Sequence, residues 1–556
     1  EKDLIKILKE NNKLRFASKG DKIVEINNKV IDNSLEYLTT FEVPEEWKDL
    51  EYKDNQKLTF NESINLLKGD TLPVSSFIKN KEGIFEGTTT KEEKRNIAEE
   101  VPCWISENCI ECNQCAFSCP HGVIRPFLLD KKDSKVESIP SLLPKDKEFT
   151  IGINYEECTG CGVCTLACPG KLGKKALEMV PNKDKENNFE YLLKNNVNDK
   201  YQSNLLTVKN VSFKEPKFEY SGACAGCGET PYITNLTRVF NDNLMIANAT
   251  GCSSIYSGSV PSMPYSIPWA SSLFEDNTEY GYGILQGINI KRDKIKKYMK
   301  EYPRNKLFKK WIENMDNYDI CKEVKENIDY KKHPYLNDMK DYILPKQLWV
   351  LGGDGFAYDI GYGGLDHVLS KKDNINILVL DTEVYSNTGG QSSKSSNIGS
   401  VASFTSNGKD NYKKDLARIA MCYPHVYVAS VNIGYNKEQY LKAIKEASLH
   451  NGPSLIIAYS PCIEHGIKTG MQHSQSNGYL ATKCGYFLTF RYNPDTKKFS
   501  LDSKEPEFDK YEDYLMTENR FASLVRKDKE RARLLLEEQK QWAIDRYNYY
   551  KKISEE

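Results

Sequence analysis

The sequence predicts an α/β protein in which a doubly wound parallel sheet follows a small α+β domain. Three observations predict it. Four short apolar runs at 347–352, 374–381, 426–431 and 454–459 alternate with longer helical stretches in the region after residue 200. Runs of that kind read as parallel strands, because a strand covered by helices on both faces has no polar side to present. A cysteine run at Cys109, Cys112, Cys115 and Cys119 recurs at Cys158, Cys161, Cys164 and Cys168, each copy ending in proline. Gly353-Asp354-Gly355 stands directly after the first apolar run.

The cysteine spacing, C-x2-C-x2-C-x3-C-P, is that of a two-cluster ferredoxin-like unit, in which the fourth cysteine of each run crosses to the other cluster. It assigns Cys109, Cys112, Cys115 and Cys168 to one [4Fe–4S] centre and Cys158, Cys161, Cys164 and Cys119 to the second. The prolines at 120 and 169 end regular structure after each run. Structural zinc prefers paired C-x2-C units separated by a spacer, so this pattern points to iron.

At 556 residues the chain is long enough for several domains. Residues 1–40 read as the remnant of an α/β domain, with a strand edge at 22–26 followed by a helix. Residues 41–85 read as a connecting arm, and 86–195 as the ferredoxin-like domain, with 182–198 a charged loop. Residues 196–556 form the sheet domain, and 520–552 a long solvated or packing helix. Basic and acidic residues number 77 and 78, for a net charge of −1. That balance argues against nucleic-acid or membrane-surface binding. No apolar run reaches the roughly 18 residues that cross a bilayer. Sixteen cysteines, half of them in cluster motifs, imply a reducing compartment. The opening Glu-Lys-Asp-Leu carries neither methionine nor an apolar signal region, so the chain reads as a piece of a longer one.

A second chemical site is expected where two neighbouring strands end. Asp354 can give a carboxylate oxygen to Mg2+, which favours octahedral oxygen coordination and offsets a diphosphate. Gly353 and Gly355 let the backbone approach phosphates. About thirty residues on, 381–390 supplies Thr382 and Asn387 as neutral oxygens. GDG at a strand end with a downstream Asn at this distance is the fingerprint of thiamine diphosphate. A third cysteine group follows from Cys224, Cys227 and Cys252. It lacks a fourth thiolate, and Cys103, Cys321, Cys422, Cys462 and Cys484 are the candidates; zinc is the rival there.

The motifs SGACAGCGETPY (221–232), NATGCSSIYSG (248–258), LFEDNTEYGYG (273–283), GDGFAYDIGYGGLDHVL (353–369) and DTEVYSNTGGQSS (381–393) resemble pyruvate:ferredoxin (flavodoxin) oxidoreductases. So do LKGDTLPVSSF (67–77), EKRNIAEEVPCW (93–104) and CIECNQCAFSCPHGVIRPFLL (109–129). Together they correspond to the C-terminal half of that family. The resemblance implies Asp354, Thr382 and the Val384 carbonyl as Mg2+ ligands, Asn387 beside the thiazolium and substrate, and Glu229 near the cofactor. It implies Cys484 as the fourth ligand beside Cys224, Cys227 and Cys252, leaving the other four candidates as core thiols. It also implies oxidation of pyruvate with coenzyme A to acetyl-CoA and CO2, three [4Fe–4S] clusters, transfer to ferredoxin or flavodoxin, a homodimer, and an anaerobic cytoplasm. The segment after Tyr256 is shorter than the family pattern. The family's N-terminal domain, which supplies the glutamate that activates the aminopyrimidine, has no counterpart here. Alternatives are a related 2-oxoacid oxidoreductase with another substrate, an electron carrier without turnover of its own, and a non-redox thiamine decarboxylase.

Overall fold

A computed structural model describes residues 2–17, 20–34, 36–49, 58–80, 94–182, 188–201, 203, 205–258 and 263–555. The chain divides into two units, Glu1–Ser63 and Ile64–Glu556. In the first unit the helices Lys2–Phe16 and Asp21–Asn33 are tied by Asn12 Nδ2 donating to the Val24 carbonyl (3.0 Å) and to Asn28 Oδ1 (2.8 Å). The strand expected at 22–26 is therefore helix. Its apolar residues Ile23, Val24, Ile26 and Ile31 recur at helical as well as at alternate spacing, and the period of two over five residues was too short to decide.

The second unit begins its sheets with β1 (Glu100–Trp104), β2 (Ile124–Leu129), β3 (Ile139–Pro140), β4 (Glu148–Ile153) and β5 (Leu177–Pro181). β1 pairs antiparallel with β5, and β4 lies between β2 and β3. The first residues of the expected 86–195 domain and of the motif at 93–104 fall outside the described residues, as do 183–187. Part of the expected loop at 182–198 is a short helix, Phe189–Asn195, because Phe189 and Leu192 bury against Phe127.

The large sheet comprises β6 (Leu244–Ala249), β7 (Trp269–Ser272), β8 (Gln347–Gly352), β9 (Asn376–Asp381), β10 (Tyr427–Val431), β11 (Ser454–Tyr459), β12 (Phe490–Asn493) and β13 (Lys498–Leu501). Its order is β13-β12-β10-β11-β9-β8-β6-β7. The six strands from β10 to β7 are parallel, and β12 and β13 form an antiparallel edge. β8, β9, β10 and β11 coincide with the four apolar runs, and nearly every side chain on them is buried. Separate apolar cores cover the two faces, one around Val350, Ile377 and Leu455 and one around Trp349, Leu378 and Ile456. Alternate residues of the same strands feed them, as a doubly covered sheet requires. The helix expected at 520–552 is two helices, Asn519–Lys527 and Lys529–Glu555. Asp528 leaves helical geometry between them, and its Oδ1 accepts the Arg531 N–H (3.0 Å) as a cap.

Candidate active site and cluster sites

The strand order reverses between β6 and β8: β7 lies on one side of β6 and β8 on the other. Open α/β sheets bind ligands beyond the carboxyl ends of strands at such a point. There the ends of β6, β8 and β9 enclose a cavity of 460 Å3, whose walls include Glu229, Cys252, Asp354, Thr382, Val384 and Asn387.

Asp354 is buried, and its Oδ2 accepts a hydrogen bond from Ser393 Oγ (2.6 Å). Its Oδ1 has no hydrogen-bond partner. Burial, then the neighbouring Asp381, holds the Asp354 carboxyl well above the ordinary range. Thr382 Oγ1 donates to the Val384 carbonyl at 3.0 Å, so both oxygens occupy one corner of the same cavity. An orphaned buried carboxylate oxygen together with a hydroxyl and a carbonyl is an all-oxygen donor set of the kind a hard divalent cation takes. The residues fit Mg2+. Gly353 would have room for a Cβ toward the protein, whereas a Cβ on Gly355 would meet Tyr385 at 2.9 Å and Phe274 at 3.1 Å. The glycine at 355 is thus demanded by side-chain packing. Asn387 stands exposed at the mouth.

Glu229 lines the same cavity. Burial pushes its carboxyl up to about 7, against a hydrogen bond from Tyr256 Oη (2.8 Å). Glu229, Cys252, Thr382 and Asn387 also line a second, adjoining cavity of 140 Å3. Around that cavity stand Cys224, Cys227, Cys252 and Cys462. Burial comes first in raising the thiols of Cys227, Cys252 and Cys462, and Glu229 beside them adds to it in each.

Cys484 does not join this group. It caps the helix Ser474–Lys483 and packs in the core with Tyr486 and Tyr511, its thiol donating to the Ala481 carbonyl (3.5 Å). Cys462 takes the place expected for Cys484. The Gly228 N–H donates to the Pro461 carbonyl (3.1 Å), and a Cβ on Gly228 would come within 2.4 Å of that oxygen. The segment just after Cys227 is thereby pressed against the residue just before Cys462. The signal was topological: Cys462 follows the end of a parallel strand, on the edge that carries Asp354 and Thr382, whereas Cys484 follows a helix. His465 also fixes the position. Its Nδ1 accepts the Cys462 N–H (3.4 Å), leaving Nε2–H to donate to the Thr382 carbonyl (2.6 Å).

In the smaller domain, Cys109, Cys112, Cys115 and Cys168 line one pocket. Burial raises the thiols of Cys109, Cys112 and Cys115, and Cys168 adds to each. Cys119 lies instead with Cys158, Cys161 and Cys164, raising the thiol of each beyond what burial does. The geometry thus brings together the crossed sets that the spacing gives. Each run follows the same path. The residues flanking the second cysteine are left-handed in both copies, Glu111 and Asn113 in one (φ 52° and 58°), Gly160 and Gly162 in the other (φ 67° and 76°). This turn brings backbone N–H groups toward sulfur, as where Gly160 N–H reaches Cys158 Sγ at 3.4 Å. The backbone N–H of Gly226, inside the Cys224–Cys227 loop, likewise reaches Cys161. Among the described residues no three His, Cys, Asp or Glu side chains converge as ligands of a single ion.

Contacts between the two domains combine Phe117, packed in the core beside Tyr232 and Ile233, with polar bonds at buried and partly buried positions. The helix Thr230–Phe240 donates from Asn235 Nδ2 to the Phe117 carbonyl (2.9 Å) and from Arg238 Nη1 to the Ala116 carbonyl (3.1 Å). Arg95 Nη1 donates to the Ser221 carbonyl (2.8 Å) while its Nε pairs with Glu157 (3.0 Å).

Fold and site define a class, that of a thiamine pyrophosphate-type domain joined to a ferredoxin-like iron–sulfur domain. A family model described as a 4Fe-4S dicluster domain matches residues 108–172, and one for the C-terminal TPP binding domain of thiamine pyrophosphate enzymes matches 341–458. A domain of unknown function matches 60–98. The chain is related over its whole length to pyruvate:ferredoxin and pyruvate-flavodoxin oxidoreductases and corresponds to their C-terminal half. It is 42% identical to pyruvate:ferredoxin oxidoreductase of Moorella thermoacetica over 100% of this chain and 51% of that protein. It is 39% identical to pyruvate-flavodoxin oxidoreductase of Enterobacter agglomerans over 99% of this chain and 51% of that protein. It is 36% identical to pyruvate dehydrogenase [NADP(+)] of Cryptosporidium parvum over 99% of this chain and 34% of that protein. The chain thus spans about half the length of the first two relatives and a third of the last. A solved 2-oxoglutarate:ferredoxin oxidoreductase from Magnetococcus marinus matches at TM-score 0.30 and 17% identity, over 48% of this chain and 68% of that one, and carries no argument.

Proposed function

We propose that this chain is the thiamine and electron-transfer half of an enzyme that oxidises pyruvate and coenzyme A to acetyl-CoA and CO2. Two electrons and one proton leave per pyruvate, and the electrons pass singly to ferredoxin or flavodoxin. The carrying observation is the pair of adjoining cavities, one lined by a diphosphate-type donor set and one by four cysteines, which share Glu229, Cys252, Thr382 and Asn387.

Thiamine diphosphate, when bound, supplies the nucleophilic carbon and the electron sink that decarboxylation of a 2-oxo acid needs. Asp354, Thr382 Oγ1 and the Val384 carbonyl would hold Mg2+, whose charge offsets that of a diphosphate. Asn387 orients substrate at the mouth. Glu229, near neutrality in its affinity for protons, holds or releases one at the wall shared with the cysteines. Cys224, Cys227, Cys252 and Cys462 hold the cluster nearest the cavity. Cys158, Cys161, Cys164 and Cys119 hold the next, since the Gly226 amide touches Cys161 from within the Cys224–Cys227 loop. Cys109, Cys112, Cys115 and Cys168 hold the outermost. The groups that bind the aminopyrimidine and the substrate carboxylate come from the other half of the relatives' length.

The test mixes the anaerobically reconstituted chain with the complementary N-terminal polypeptide of a relative, then adds pyruvate and coenzyme A under EPR observation. Cluster reduction by the mixture and not by the chain alone is the expected result. Turnover by the chain alone contradicts the division of labour, and reduction by 2-oxoglutarate in place of pyruvate contradicts the substrate.

A further inference from the structure

Glu383 lies between two residues read above as metal-binding, and its backbone is left-handed, at φ 58°. A glutamate adopts that region only when its surroundings hold it there. Here they do. The buried carboxylate accepts at Oε1 from Lys413 Nζ (2.7 Å) and Asn397 Nδ2 (3.0 Å), and at Oε2 from Tyr486 Oη (2.5 Å). Arg520 Nη1 lies 2.9 Å from Oε2, an ion pair without good hydrogen-bond alignment. The backbone is fixed as well, since Glu383 N–H donates to Asp381 Oδ1 (3.2 Å) and Ser396 Oγ donates to the Glu383 carbonyl (2.6 Å).

The consequence falls on the neighbours. In an extended strand, residues 382 and 384 would project to one side 6–7 Å apart and their carbonyls would point along the sheet. The left-handed residue between them reverses the path. It brings the Val384 carbonyl to 3.0 Å from Thr382 Oγ1, both in residues lining the cavity that Asp354 also lines.

We propose that Glu383 is a positioning residue for the cofactor's metal. Its carboxylate clamps the left-handed turn that presents Thr382 and Val384 together. It touches neither metal nor substrate, and it rests on the reading of Asp354, Thr382 and Val384 as the Mg2+ site. The clamp reaches across the fold, since Arg520 comes from the C-terminal helix Asn519–Lys527 and Tyr486 from the segment before β12.

The test is Mg2+-dependent thiamine diphosphate binding to the chain mixed with the complementary N-terminal polypeptide of a relative, followed by calorimetric titration, with the chain as wild type, D354A, E383A, E383G and E383N. All three Glu383 variants delete the clamped carboxylate, but glycine adopts a left-handed backbone freely and asparagine tolerates it. The expected order of Mg2+ affinity is wild type, then E383G and E383N within about fivefold, then E383A weakened at least tenfold, a factor of ten being 1.4 kcal/mol. Iron content and thermal unfolding are read on the same samples. Should E383A fail to fold, retention of binding by E383G and E383N sustains the clamp, and equal failure of all three overturns it. Equal affinities in E383A and E383G reduce Glu383 to a charge partner of Lys413 and Arg520 and overturn the proposal alone. A wild-type chain without Mg2+-dependent binding, or a D354A chain that binds unchanged, overturns the site reading beneath it.

Discussion

Asp354 carries the clearest conflict between stability and function. A buried carboxylate with an unpartnered oxygen beside Asp381 costs the metal-free chain stability. Its folded affinity for protons lies above the unfolded value, so stability is lost as pH rises from about 4 through the folded pKa. Substituting Asp354→Asn should therefore stabilise the metal-free chain at pH values above the folded pKa, and weaken Mg2+-dependent cofactor binding at least tenfold. Denaturant melts and cofactor titrations on one preparation check both halves. His465 carries the opposite sign. Burial, then Arg520, lowers it to about 3, so it stays neutral when folded. The unfolded chain takes up that proton below pH 6.5, and stability falls as pH drops from there toward 3. At pH 5.5 the histidine should cost ~1.4 kcal/mol, and H465Q should narrow the stability gap between pH 7 and 5.5 by about that much. A gap unchanged by H465Q would contradict the assigned neutral tautomer. The comparison needs the variant, because Glu229 and Asp354 gain stability over the same interval.

At the scale of elements, the clusters depend on how close backbones come. Glycine at 228 allows the Cys227 and Cys462 segments to touch, and a Cβ there meets the Pro461 carbonyl at 2.4 Å. G228A should lose about four irons per chain, one cubane, and leave the dicluster domain loaded. Loss of all iron would show instead that the domains fold as one. The elements also mark what a sequence can disclose. The four buried strands were legible because each is an apolar run with turn residues at its ends, and the crossed cluster ligands because spacing alone encodes them. The helix at 21–33 was misread from five alternating residues. The break at Asp528 was hidden because a charged, helical-looking sequence continues on both sides of the cap. Cys462 was missed for a different reason. Proximity to Cys227 arises from strand order in the sheet, β11 beside β9 and two strands from β8, and strand order is not written in local sequence.

The whole molecule is organised around one edge of the large sheet. The ends of β6, β8 and β9 make the cofactor cavity, and Cys462 beyond β11 draws the third cysteine group to the same edge. The ferredoxin-like domain is then fastened to the sheet domain by Phe117 packed in its core and by polar contacts from Arg95, Asn235 and Arg238. A removed partner would leave charged or polar groups unsatisfied, so this junction holds one register. Among the described residues no helix is long and apolar enough to cross a membrane. Relatives twice the length of this chain supply, in the proposed reading, the groups its cavity lacks.

In the proposed function a three-cluster relay starts at Cys224, Cys227, Cys252 and Cys462. It is tested most directly by iron and acid-labile sulfide per chain, with low-temperature EPR after dithionite, on wild type, C462S and C484S purified anaerobically. About twelve irons are expected for wild type and for C484S, and about eight for C462S with one EPR component missing. About twelve irons in C462S and eight in C484S would restore Cys484 as the ligand. About eight in wild type would leave the cavity without its adjoining cluster and contradict the relay.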